Sequence, residues 1–156
     1  MTTRRVFLKG TAAAGIVAVA AGAGLLKPGR VLAAQWPQAA FDAKALQDVT
    51  TKLYGGMKAV ESKDIVIKAP LQAENGAVVP FSVSTNIPNV QSIGVVVEKN
   101  STPLIATADF GEGATGFFAA RMKMAKTSDV RVYVKAGDKL YTAAQQVKVT
   151  VGGCGG

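Results

Sequence analysis

The sequence predicts an all-β protein: an immunoglobulin-like antiparallel β-sandwich of about seven strands, preceded by one N-terminal helix and followed by a flexible C-terminal arm. Three observations carry this expectation. From Ile65 onward apolar and polar residues alternate with a period of two, as half-buried strands require. These runs are short and punctuated by Gly, Pro, Asn and Asp, the spacing of a sandwich rather than of βαβ units. The last residues, Gly152-Gly153-Cys154-Gly155-Gly156, place the chain's one cysteine between glycines that cannot prolong a strand.

In chain order, residues 1–33 have the three parts of an export signal: a basic start, an apolar stretch over 10–26, and a small-residue end at Val31-Leu32-Ala33-Ala34. The paired Arg4 and Arg5, followed by Val6-Phe7-Leu8-Lys9, match the twin-arginine type, with cleavage expected after Ala33. The apolar stretch is rich in Ala and Gly and shorter than the roughly 20 strongly apolar residues of a spanning helix, so no stable membrane anchor is expected. The domain plan is therefore 1–33 signal, 34–151 helix plus sandwich, and 152–156 arm.

The leader also dominates the charge. Of 18 Lys and Arg, Arg4, Arg5, Lys9, Lys27 and Arg30 lie in it, leaving 13 against 10 Asp and Glu, a net +3. That excess is too small, and its lysines too scattered among non-aromatic residues, for nucleic acid binding. With no histidine and one cysteine, resident zinc, haem or copper and most triad or dyad chemistry are excluded, so no cofactor and no catalytic residue is expected. Twin-arginine export carries folded proteins. Without cofactor ligands, acquisition of a protein partner before export becomes the reason to fold first.

The helix is expected over 41–53. Phe41, Ala45, Val49 and Leu53 fall four apart, with Leu46 beside them, opposite Asp42, Lys44, Gln47, Asp48 and Lys52. Gly55-Gly56 supplies a C-cap, and the polar 57–63 reads as a linker. Strands are expected over 65–68 and 77–84, joined through Glu74-Asn75-Gly76, where Asn-Gly provides turn chemistry. Two more follow over 93–98 and 104–110. Residues 117–124 suit helix or strand, and the alternation of Phe118, Ala120, Met122 and Met124 with Arg121 and Lys123 favours strand. Val130, Val132 and Val134 alternate plainly, Gly137-Asp138 turns the chain, and 139–151 closes the sheet with Val147, Val149 and Val151 on one face.

Other motifs carry less. Gly111-Glu112-Gly113-Ala114-Thr115-Gly116 matches G-x-G-x-x-G, but the dinucleotide reading needs a helix and a parallel βαβ unit that the surroundings do not offer, so it is expected to be an inter-strand loop. Met122, Met124 and Phe117-Phe118 suit core and partner-facing surface. Asp109 and Glu112 are solvated loop carboxylates with no nucleophile beside them.

Cys154 is the remaining chemical group. In an exported chain a lone thiol points to intermolecular pairing or reactivity. Gly152, Gly153, Gly155 and Gly156 remove the bulk that would keep it from a narrow cleft, and at about 3.3–3.6 Å per residue the three residues after Val151 carry it roughly 10 Å. No helix N-terminus or neighbouring cation in the sequence activates the thiol, so activation must come from an enzyme that receives the arm. Two other readings stand at this point. An exported adhesive sandwich could use Cys154 for an intermolecular disulfide. A terminal Gly-Gly also suits a thiocarboxylate carrier, although such carriers work with ATP in the cytoplasm.

The terminal Val-Thr-Val-Gly-Gly-Cys-Gly-Gly, the segment Ala73-Glu74-Asn75-Gly76-Ala77-Val78-Val79-Pro80 and the twin-arginine leader together resemble the SoxY family, sulfur carriers of the periplasmic thiosulfate-oxidising system. The resemblance implies covalent attachment of sulfur intermediates to Cys154. A c-type cytochrome complex would join thiosulfate to the thiol as a cysteine S-thiosulfonate. A hydrolase would release sulfate, and the sulfane sulfur left on the cysteine would be oxidised further or transferred, by a sulfur dehydrogenase or transferase. It further implies a heterodimer with SoxZ, a similar sandwich without the arm that is exported with its partner through the twin-arginine machinery to the periplasm.

Overall fold

Two β-sheets pack face to face in the computed structural model, which describes residues 36–151. Helices α1 (Gln38–Phe41) and α2 (Leu46–Tyr54) precede nine strands: β1 (Ala59–Glu61), β2 (Ile65–Lys68), β3 (Gln72–Asn75), β4 (Val79–Thr85), β5 (Val90–Val97), β6 (Leu104–Asp109), β7 (Gly116–Met122), β8 (Ser128–Ala136) and β9 (Lys139–Val151). The larger sheet runs β1-β9-β8-β5-β6, with β3 also paired to β9, and the smaller is β2-β4-β7. The sandwich expected from the alternation is present.

Between the sheets lies the principal core. Val79, Phe81 and Val83 of β4 face Ile93, Val95 and Val97 of β5 and Val130, Val132 and Val134 of β8. Burying such side chains completely contributes about 1.5–3 kcal/mol each relative to exposure. The β7 segment is a strand, as its alternation favoured, ending at Met122 rather than 124, with Met122 and the following Met124 in the core and Phe117 exposed. Pro80 pairs with Arg121 of β7 but lies beyond the reach of β2, whose pairing begins at Ser82, so β4 has a free flank at the proline, where a missing donor is tolerated.

Two strands exceed the expected seven, and both run parallel to β9. β1 arises within the segment read as a linker, pairing Ala59, Val60 and Glu61 with Leu140, Tyr141 and Thr142. β3 takes up part of the stretch read as a hairpin connection: β2 and β4 do pair antiparallel, but the chain crosses to the other sheet between them. The Asn75-Gly76 turn expected there is an Asx turn, in which Asn75 Oδ1 accepts the Ala77 N–H at 2.8 Å.

The helical region also differs from the single helix expected. It breaks between Phe41 and Leu46, with Ala45 in an extended conformation and exposed at the start of α2. The buried positions are Ala40, Ala43, Val49 and Tyr54, packed against Val96, Leu104, Tyr133 and Leu140 on the outer face of the larger sheet. Two short helices let the small Ala40 and Ala43 reach that face, and tertiary packing outweighs the four-residue spacing. Gly55 closes α2 in the left-handed conformation at φ 63°, as the C-cap reading requires.

Tyr54 fixes how close the helix comes. A Cβ at Gly94 on β5 would lie 2.5 Å from the Tyr54 hydroxyl oxygen and 3.5 Å from Cζ, so this position must be glycine for the ring to seat. The hydroxyl is buried without a hydrogen-bond partner. Burial holds the phenol well above its ordinary value of about 10, and the Ser92 hydroxyl opposes this without reaching hydrogen-bond geometry.

Two outcomes follow for this contact. Gly94→Ala is expected to lower stability by about 1–3 kcal/mol, and Tyr54→Phe, which removes the clashing oxygen, to restore most of that loss in the double variant. Urea unfolding of the four proteins checks it, and simple additivity of the two changes contradicts it. The pH dependence has a definite sign. The Tyr54 contribution is complete below about pH 10, where the unfolded chain keeps its proton, and is lost as pH rises toward the folded value. Stability should fall in strong base, and less steeply in Tyr54→Phe.

Candidate functional site

The last strand leads toward the candidate thiol. β9 pairs antiparallel with β8 along its length, from Ala136↔Lys139 to Ser128↔Val147. Beyond Val147 the β8 ladder ends, and side chains take over. Thr127 Oγ1 accepts the Val149 N–H at 2.9 Å and donates to the Val149 carbonyl at 3.5 Å, substituting for the next rung.

The other flank of β9 is held by β3, with Gln72↔Lys148, Ala73↔Val149 and Asn75↔Val151 in parallel register. The Lys148 N–H donates to Leu71 O at 2.9 Å, and Thr150 Oγ1 donates to the Glu74 carbonyl at 2.9 Å. Gln145 Nε2 donates to Ala69 O at 2.9 Å, bridging the interval between β1 and β3. The strand is thus supported to Val149 on the β8 side and to Val151 on the β3 side, three residues before Cys154.

The loops around Val151 are tied to one another. Met124 N–H donates to Gly76 O at 2.7 Å, joining the β7–β8 loop to the turn after β3. Asn100 Nδ2 donates to Lys123 O at 2.8 Å while its Oδ1 accepts the Ala125 N–H at 3.0 Å, and Ser128 Oγ accepts the Lys99 N–H at 3.0 Å. Each of these bonds satisfies a backbone group that no strand partner reaches.

Cys154, Gly152, Gly153, Gly155 and Gly156 lie outside the described residues, as do Arg4 and Arg5. The fold therefore locates the root of the expected arm. The segment 73–80, noted in sequence as a motif, forms the flank of that root. Sequence reasoning missed Thr127, Thr150, Gln145 and Asn100. Their isolated polar side chains in β-rich stretches were the available signal, and their partners are 22 or more residues away.

The glycine motif lies at the other end of the sandwich. Gly111 to Gly116 joins β6 to β7 without a helix, Gly113 has φ 75°, and Gly116 is a β7 residue whose Cβ would meet Thr85 Cγ2 at 2.5 Å. These glycines serve a turn and a close strand contact, not a phosphate cradle. Beside them a recess of about 580 Å³ includes Gln91, Phe110 and Glu112. Among the described residues no group of three or more His, Cys, Asp or Glu could hold a metal ion, and no helix is long and apolar enough to cross a membrane.

The Thr127 rung is testable. Thr127→Val is expected to speed hydrogen exchange at the Val149 amide by about tenfold or more, the loss of roughly 1.4 kcal/mol of local protection, while leaving amides of β5 unchanged. Unaltered exchange at Val149 would remove Thr127 from the support of this strand.

With this geometry in place, comparison with known proteins is informative. The family model described as "Sulfur oxidation protein SoxY" matches residues 50–154. No curated protein matches in sequence. Among solved structures, the sulfur carrier protein SoxY from Chlorobium limicola f thiosulfatophilum is 42% identical, with a TM-score of 0.64 over 68% of this chain and 96% of that one. A superoxide reductase (neelaredoxin) from Ignicoccus hospitalis is 18% identical, with a TM-score of 0.49 over 55% of this chain and 78% of that one. The family match spans most of the chain and runs to the cysteine itself, and the chain belongs to the SoxY family of sulfur oxidation proteins.

Proposed function

We propose that this chain is a covalent sulfur carrier, not an enzyme, which holds its cargo on Cys154 and presents it to partner enzymes in thiosulfate oxidation. The observation that carries the reading is the supported exit of β9 at Val151, three residues before the one thiol. Membership of the SoxY family and 42% identity to a structure described as a sulfur carrier support it.

In this reading a c-type cytochrome complex loads the carrier. The Cys154 thiol loses its proton, a sulfur–sulfur bond forms to the outer sulfur of thiosulfate, and two electrons pass to the cytochrome. A hydrolase then adds water oxygen to the sulfonate sulfur. The sulfur–sulfur bond breaks, sulfate leaves, and the electron pair stays on the sulfane sulfur attached to Cys154. That sulfur is then either passed by a transferase to an acceptor, which returns the thiol, or oxidised by a sulfur dehydrogenase to a sulfonate, with water supplying the oxygens and six electrons passing to the dehydrogenase's acceptor. After the oxidation the hydrolase releases a second sulfate and leaves the thiol. The carrier needs no cofactor of its own, because each partner supplies the activation.

The remaining expectations fit the same scheme. Arg4 and Arg5 would direct folded export by the twin-arginine machinery to the periplasm, with SoxZ bound as a heterodimer partner. Glycines 152, 153, 155 and 156 would let Cys154 enter several clefts, since they add no side chain to collide with any of them.

Intact mass spectrometry tests the assignment. After incubation with thiosulfate and the cytochrome complex, a reductant-sensitive adduct of one thiosulfate is expected on Cys154, and none on Cys154→Ser. A thiocarboxylate at Gly156, or disulfide dimers alone, would replace this reading with one of the two alternatives. Gly153→Val and deletion of Gly155-Gly156 are expected to slow turnover by the partner enzymes while changing the unfolding midpoint by no more than about 1 °C, because in sequence they follow the last β9 ladder residue, Val151. Unfolding of the domain by either change would contradict the arm.

A further inference from the structure

Among the described residues β7 pairs with β4 alone, so its other side is a free edge of the smaller sheet. A free edge presents unpaired backbone donors and acceptors, and folded proteins keep such edges short, bulged, charged or covered. The other outer strands follow that rule. β1 has three residues and ends at Glu61, β2 has four and ends at Lys68, and β3 has four and includes Glu74. The β5–β6 ladder is broken by a register shift at Val95/Val96.

β7 departs from it. Its seven residues pair with β4 in unbroken register from Val79↔Met122 to Thr85↔Gly116, and Arg121 is its one charged side chain. Phe117 is 58% exposed, and Ala119 and Arg121 are exposed along the same face. The β4 register sets that face. Phe117, Ala119 and Arg121 lie beside Ser84, Ser82 and Pro80 on the outside, whereas Phe118 and Ala120 lie beside the core residues Val83 and Phe81. Phe81 holds the Phe118 ring edge-on at a centroid distance of 5.9 Å.

The residues of this edge are complementary to themselves when reversed. Laid antiparallel on a second copy about Ala119, Phe117 stands opposite Arg121, Phe118 opposite Ala120, and Ala119 opposite its own counterpart. The outer face then has two aromatic–guanidinium pairs on either side of two methyl groups. On the inner face each half-buried Phe118 ring meets an alanine, so the two rings do not collide. The two Arg121 side chains stand four residues apart along the strands, roughly 14 Å, beyond the screening length of about 8–10 Å.

We propose that the β7 edge docks a second copy of this chain by antiparallel β7–β7 pairing, with the two-fold axis at Ala119. The pairing gives the backbone groups of both edges partners and joins two three-stranded sheets into one. A seven-residue strand addition is a small interface, so the association is reversible and depends on concentration. The inference does not rest on the carrier reading, because no residue of 152–156 takes part.

The test uses the full chain with Cys154→Ser, which removes disulfide dimers through the arm. Opposed residues of an antiparallel pair have Cα atoms about 4.5–5.5 Å apart, within the range that a disulfide spans. Phe117→Cys, Ala119→Cys and Arg121→Cys are made singly in this background and oxidised under matched mild conditions. Ala119→Cys should cross-link to itself, and Phe117→Cys to Arg121→Cys when the two are mixed. Both reactions should run at least about tenfold faster than Phe117→Cys or Arg121→Cys alone, whose like positions are too far apart to bridge. Sedimentation velocity supplies a readout without new cysteines. Ala119→Lys and Ala119→Glu should each weaken self-association about tenfold or more, and an equimolar mixture of the two should recover it, because opposite charges then face across the axis. Thermal unfolding confirms that each variant is folded.

Equal cross-linking rates at the three positions, or failure of the Lys and Glu variants to associate when mixed, would overturn the β7 pairing. A dimer whose cross-links follow another register would assign the second copy to a different surface and overturn it as well. A chain that stays monomeric at every concentration leaves the edge to a strand of some other protein, and the proposal fails.

Discussion

The structure depends on β9 being held beyond the point where its ladder with β8 ends. β9 must join the larger sheet through β8, yet β8 stops pairing at Val147. A strand extending beyond its neighbour leaves backbone groups to solvent and frays. Here the overhang is closed from both sides, by the Thr127 hydroxyl at Val149 and by parallel pairing with β3. Parallel pairing explains why β3 must lie in the larger sheet although its neighbours β2 and β4 belong to the smaller one. The detour between β2 and β4 secures the chain's exit.

The same sheet is buried on both faces, and this sets the residue pattern of its central strands. β5 reads as a nearly continuous apolar run because Ile93, Val95 and Val97 fill the sandwich core while Gly94 and Val96 lie under the helices. Tyr54 illustrates the compromise. Its ring packs at 6.1 Å from that of Tyr133, but its hydroxyl has no partner, so desolvation offsets part of the gain. Glycine at position 94 is what permits the approach.

The sandwich was legible in the sequence because alternation is a local property. Val130, Val132 and Val134 declare a strand whatever their partners are. The parallel strands were not legible for the opposite reason. Ala59, Val60 and Glu61 are all exposed, so no face of β1 carries an apolar signal, and its existence depends on β9 some 80 residues later. The helix break was hidden similarly, since Phe41, Ala45, Val49 and Leu53 suit a continuous helix and only the sheet beneath selects Ala40 and Ala43 instead. Cys154 was conspicuous as a lone thiol among glycines, whereas its support was not. Asn75-Gly76 has turn chemistry in any context, and the adjacent strand depends on a distant pairing.

A carrier that holds its cargo on Cys154, as proposed, would face conflicting demands on its two parts. The glycines flanking Cys154 have no side chains by which one enzyme could be distinguished from another, so recognition cannot depend on side-chain contacts to them. A longer arm would relax the demands on docking but dilute the thiol. Beyond the span a linker must bridge, effective concentration falls roughly as the −3/2 power of its length. On the proposed reading a three-residue tether would keep that concentration high and restrict partners to one end of the sandwich. Discrimination would then reside in the scaffold at that end, in loops whose backbones Asn100, Ser128 and Thr127 hold in place. The side chains that fix these loops and those that hold β9 are in part the same. Thr127 belongs to both, so the last stretch of β9 and the loops beside it are set by one network.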